Sequence, residues 1–150
     1  MSTRDTPDPV PLPALLRHAR STYGVAMRAA LEKAGYDDVP KNGLYVIGGM
    51  AMEGDYPLAA LIDDLKISKQ AAGQLVDTLV ERGYLEREVD PEDRRRLVLA
   101  LSQRGRAAAK VQAAARARVD AKLAARLGDR AVETLRRGLM ALIQIGREAP

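Results

Sequence analysis

Apolar residues recur at alternating steps of three and four along Leu12, Leu15, Leu16, Ala19, Tyr23, Ala26, Met27, Ala30, Leu31 and Ala34, which is the stripe of a long amphipathic helix. Gly35 ends it. A second helix is expected from about Lys41 to Met52, opened by Pro40 at a first-turn position where the missing N–H costs nothing. Gly43, Gly48 and Gly49 weaken that helix, since glycine is a poor helix former. Pro57 then opens Leu58 to Leu65, a short turn holds Lys66 and Ile67, and Ser68 stands where an N-cap begins another helix. That helix carries Ala72, Leu75, Val76, Leu79 and Val80 and stops at Gly83. Two short helices joined by a tight turn form a helix-turn-helix. Beyond Gly83 the period changes to two. Tyr84 to Val89 alternates, Asp90-Pro91-Glu92-Asp93 is turn chemistry, and Leu97, Leu99 and Leu101 alternate again. A hairpin directly after a helix-turn-helix makes a winged helix. From Ser102, a second N-cap, an Ala/Arg-rich helix runs to about Leu127 with Val111, Ala115, Val119, Leu123 and Leu127 four apart. Gly128-Asp129 breaks it, and a last helix aligns Val132, Leu135, Leu139, Leu142 and Ile143.

The expected fold is mainly α: a winged helix-turn-helix with a two-stranded β-wing, flanked by long N- and C-terminal helices. The expected organisation is a flexible Pro-rich tail over 1–11, N-terminal helices for dimerisation and support over 12–53, the winged helix over 54–101 and C-terminal dimerisation helices over 102–150. A winged helix cannot cover the long terminal helices, and an exposed stripe of that length is an aggregation hazard in a monomer. Dimerisation through Leu12, Leu15, Leu16, Val132, Leu135, Leu139, Leu142 and Ile143 is the economical solution.

Composition narrows the chemistry. The chain of 150 residues has no Cys, which removes disulfides, cysteine-based zinc sites and thiol sensing, and its single His argues against a histidine metal site. No cofactor and no metal are expected. The longest apolar run, Leu44 to Met52, is broken by two glycines and is far short of the roughly 20 residues that span a bilayer, and the Pro-rich start is no signal helix. A cytoplasmic protein without a membrane partner is expected. There is no Gly-rich phosphate loop with Lys, no Gly-x-Ser-x-Gly elbow and no His-Glu-x-x-His, so no enzyme is expected. The net charge of +4 is unevenly spread. Residues 56–104 hold eight Lys+Arg against nine Asp+Glu, whereas residues 105–150 hold ten against four. Any binding of nucleic acid by the winged helix must therefore rest on local placement of cations.

The run Asp90-Pro91-Glu92-Asp93-Arg94-Arg95-Arg96-Leu97-Val98-Leu99-Ala100-Leu101-Ser102-Gln103-Arg104-Gly105, together with the helix order, closely resembles the MarR (multiple antibiotic resistance regulator) family of bacterial transcription factors. In that family an acidic residue and arginines mark the wing tip, and a Leu-Ser/Thr-x-x-Gly motif opens the long helix. The resemblance implies a homodimer with interlocked terminal helices and two winged lobes that read a palindromic operator in double-stranded DNA. A repressor is the expected sense. The resemblance further implies a cleft for a small aromatic or phenolic effector, with His18, Tyr23, Tyr45, Met50 and Met52 as candidates, although such residues more often belong to a core. The recognition helix, Ser68-Lys69-Gln70-Ala71-Ala72-Gly73-Gln74, lacks the hydroxyl and arginine that the resemblance implies at positions 73 and 74.

Opposite the apolar stripe of that helix lie Gln70, Gly73, Gln74 and Asp77. In a winged helix this strip enters the major groove, where glutamine suits the N6/N7 edge of adenine, and no arginine is available for guanine. Gly73 leaves room for close approach. An A·T-rich half-site is expected. Arg95 resembles the family arginine of the minor groove, held by Asp93, while Arg94 and Arg96 face phosphate. Ser68 and Lys69 are candidates for phosphate contacts at the helix start. The alternative is a winged-helix protein-interaction module, in which the same glutamines and arginines are solvated surface.

Overall fold

A computed structural model describes residues 9–52 and 58–148. Pro57, the boundary drawn at residue 53 and most of the Pro-rich tail lie outside the described residues. The order is α1 (Leu12–Lys33), α2 (Gly43–Ala51), α3 (Leu58–Asp64), α4 (Lys69–Glu81), β1 (Leu85–Val89), β2 (Leu97–Leu101), α5 (Gln103–Leu127) and α6 (Asp129–Glu148). The expected mainly helical winged helix-turn-helix is the fold observed. The two strands pair antiparallel with Leu85 opposite Leu101 and Val89 opposite Leu97.

Local chemistry sets the element ends. The Ser68 hydroxyl accepts from the Ala71 N–H at 3.1 Å, and the Ser102 hydroxyl accepts from the Gly105 N–H at 2.9 Å. Each caps one of the amides that a helix start leaves without a partner. Gly83 follows α4 at φ +81°, and the Tyr84 N–H returns to the Leu79 carbonyl at 2.8 Å, which closes that helix. The start of α2 differs from expectation. Pro40 lies before the helix rather than in its first turn, and its carbonyl accepts the Gly43 N–H at 2.8 Å.

The core joins Met27 and Leu31 of α1, Leu44, Val46 and Ile47 of α2, Leu75 and Leu79 of α4, and Leu85 and Leu101 of the wing base. Leu31, Val46, Ile47 and Leu79 are fully enclosed, and each such side chain contributes about 1.5–3 kcal/mol. The face of α5 that enters this core is small. Gly105, Ala108, Ala109, Gln112 and Ala115 are buried, whereas Leu127, on the expected stripe, is exposed. Small side chains let α1 and α2 lie close against α5. The glycines of α2 have the same explanation. A Cβ on Gly49 would stand 2.2 Å from Leu61 Cδ2, so α3 packs directly on the α2 backbone.

A polar cluster helps tie the lobe to the long helices. The Tyr84 hydroxyl donates to Asp38 Oδ1, Arg104 Nη2 donates to the same oxygen at 2.9 Å, and the Arg104 guanidinium lies over the rings of Tyr84 and Tyr36. This cluster joins the α1–α2 loop, the start of the wing and the start of α5. The Asp38 carboxyl is held below the usual carboxylate range, first by the Tyr84 hydroxyl and then by Arg104. Burial and the bond to Asp38 push the Tyr84 phenol up to about 12.

Candidate nucleic-acid interface

Burial of Ala72, Leu75 and Leu79 fixes the roll of α4 and turns Gln70, Gly73, Gln74 and Asp77 outward, all of them exposed. Lys69 is exposed at the first position, and Ser68, although its oxygen caps the helix, keeps its own proton to donate. At the far end of the strip Asp77 meets Arg87 of β1 at 3.5 Å. That ion pair bridges helix and wing. It is exposed and worth less than about 1 kcal/mol.

The wing tip is a hydrogen-bonded turn. Asp90 Oδ1 accepts from the Glu92 N–H at 2.9 Å, Asp93 Oδ1 accepts from the Arg95 N–H at 3.1 Å, and the Asp90 N–H reaches the Arg96 carbonyl at 2.9 Å. Asp93 thus holds the backbone of Arg95. Its contact with Arg95 Nε is 3.5 Å, at the limit of a hydrogen bond, and the arginine side chain is 94% exposed. Asp90 lies 4.0 Å from Arg96 Nε. The acids shape the loop, and the guanidinium groups of Arg94, Arg95 and Arg96 project from it.

This lobe is also where the sequence is similar to a known family. Residues 44–96 match the family model described as MarR family. The match runs from α2 to the wing turn, about a third of the chain, and over it the sequence is similar to that family. Solved structures share the fold over nearly the whole chain. Wild-type MarR from E. coli without ligand is 20% identical with TM-score 0.64, over 90% of this chain and 98% of that one. MepR from S. aureus, solved in complex with DNA, is 17% identical with TM-score 0.66, over 91% and 98%. The MarR-family protein Rv2887 from Mycobacterium tuberculosis, solved with salicylic acid, is 27% identical with TM-score 0.62, over 90% and 98%. No curated protein matches the sequence.

Elsewhere on the chain, two of its clefts bear on the expected effector site and dimer interface. One, of about 710 Å³, lies between the end of α2, the wing and the first half of α5. Met50 and Met52 line it with Leu99, and Arg106, Lys110 and Arg116 bring cations to it. The structure does not bring the other three effector candidates there. Tyr45 packs under the Arg20 guanidinium, 4.3 Å from its ring centre, Tyr23 donates to Asp120 on α5, and His18 is exposed on α1. The periodicity of α5 hid the three cations, which in sequence are scattered charges on a basic helix. The second cleft, of about 550 Å³, runs between α1, α5 and α6 and is lined mainly by leucines, among them Leu12, Leu15, Leu16, Leu135, Leu139 and Leu142. Among the described residues, no three His, Asp or Glu gather as a metal site, and no helix is long and apolar enough to cross a membrane.

Proposed function

We propose that this chain is a sequence-specific, double-stranded DNA-binding transcriptional regulator that works as a homodimer. One observation carries the reading: a lobe without surplus positive charge, formally −1 over residues 56–104, presents two glutamines on the outer strip of α4 and three projecting arginines on a turn built by its own acids. Gln70 and Gln74 pair with adenine in the major groove, Arg95 enters the adjacent minor groove, and Arg94, Arg96, Ser68 and Lys69 hold phosphate. MepR, of the same fold, was solved with DNA.

The dimer is supported by α6, none of whose residues is buried although Leu135, Leu142 and Ile143 form one apolar stripe, between 43 and 49% exposed. Leu12, Leu15 and Leu16 of α1 continue that surface, with Val132 and Leu139 half-buried at its edge. A two-fold pair would set two lobes on a palindrome, with half-site centres about 10 bp apart. Repression by occupancy of the operator fits this geometry. The 710 Å³ cleft suits a small aromatic or phenolic anion, with methionines against its ring and cations for its charge. Rv2887 was solved with salicylic acid. Such a ligand releases DNA only in so far as it binds better when the lobes are wrongly spaced.

Duplex affinity measured against salt separates this reading from a protein-interaction module. A DNA-binding chain loses affinity steeply as salt rises, because cations on the DNA are displaced. An absence of salt-dependent duplex binding favours the module.

A further inference from the structure

Glycine inside a helix costs about 0.5–1 kcal/mol relative to alanine, so each such glycine needs a physical reason. Gly49 and Gly105 have theirs within the chain: a Cβ on Gly105 would lie 2.1 Å from the Tyr84 carbonyl oxygen, as one on Gly49 would strike Leu61. Gly73 has none. A Cβ there would meet nothing within 4 Å, and its φ is not in the left-handed region. It sits mid-way along the exposed strip of α4 with Gln70 on one side and Gln74 on the other, and neither amide has a hydrogen-bond partner among the described residues.

We propose that Gly73 is a specificity-determining residue: without a Cβ, α4 settles deep enough in the major groove for Gln70 and Gln74 to reach adenine N6 and N7, and a thymine C5-methyl packs against the bare Cα between them. The inference rests on the reading that α4 enters the groove. The two glutamines are about 6 Å apart along the helix, close to two base-pair steps of about 3.4 Å. Between their amides the methyl of thymine is the one apolar feature on the edge of an A·T pair. A Cβ at residue 73 and that methyl compete for one space. With the Cβ present, the helix stands off and the amides lose hydrogen-bonding distance.

The test uses the full chain and a duplex enriched by it from random DNA. Wild type and Gly73→Ala are compared on that duplex, on a random duplex of equal length, and on the enriched duplex with deoxyuridine replacing thymidine, which removes only the C5-methyl. Gly73→Ala keeps or raises the melting temperature, because alanine is the better helix former, yet lowers the ratio of specific to random affinity about tenfold. Deoxyuridine weakens wild type about fourfold and the variant less. The inference is overturned if Gly73→Ala keeps the wild-type ratio, or if wild type binds the deoxyuridine duplex as tightly as the thymidine one. Wild type that prefers no duplex overturns the groove reading as well, a result distinct from the other two, in which wild type stays specific.

Discussion

Asp38, Tyr84 and Arg104 show how three side chains from distant parts of the sequence set the bearing of the lobe on the long helices. The Tyr84 phenol is raised to about 12, so the folded state keeps its proton where the unfolded chain, near 10, has lost it. That stabilisation is complete below about pH 10 and is lost as pH rises through 12. Asp38, whose native value is depressed, contributes stability above its ordinary value of 3.8 that is lost as pH falls through the native one. Tyr84→Phe should cost about 1 kcal/mol at neutral pH and should lose less further stability than wild type between pH 10 and 12; urea unfolding at several pH values checks both. An equally steep alkaline loss in the variant would contradict the coupling. On the wing, Arg95 is the most exposed of the arginines with a carboxylate near it. Arg95→Ala should weaken operator binding and reduce the slope of log affinity against log salt by about one, read by fluorescence anisotropy. An unchanged slope would take Arg95 off the DNA.

At the scale of elements, caps and periods were enough to read most of the fold. Ser68, Gly83 and Ser102 mark helix ends in the sequence because each has one local task, and the change of period after Gly83 marks the wing. Faces built from small residues were less legible. The buried side of α5 is glycine and alanine with Gln112, which no count of large apolar residues reveals, and α2 tolerates Gly48 and Gly49 because Leu61 and Gln112 lie where side chains would go. The candidate site divides in the same way. The strip on α4 and the arginines of the turn follow from local sequence, whereas the cleft beside Met50 and Met52 depends on how α2, the wing and α5 meet. The stripe of α6 has no cover among the described residues. Ile143→Glu, 49% exposed in the single chain, should leave helix content intact and weaken self-association about a hundredfold, since a lone charge would be buried against apolar partners. Sedimentation velocity reads the outcome. A variant that stays dimeric at low micromolar concentration would place the interface elsewhere.

For the whole molecule, the distribution of charge matters more than its sum. The surplus of +4 comes from the last two helices, while residues 56–104 are formally −1. On the proposed function, attraction to DNA would be concentrated in the wing turn and the start of α4, where Asp90 and Asp93 lie beside Arg96 and Arg95, as Asp77 lies beside Arg87. The proposed pair of lobes, spaced by apolar terminal helices, would account for both the strip of glutamines and the exposed stripe of α6. The most direct test is selection of bound duplexes from random sequence with the purified full chain. A palindrome with A·T pairs beneath each recognition helix and half-site centres about 10 bp apart should be enriched. Enrichment of no sequence, or of an asymmetric site with invariant G·C pairs beneath α4, would contradict it.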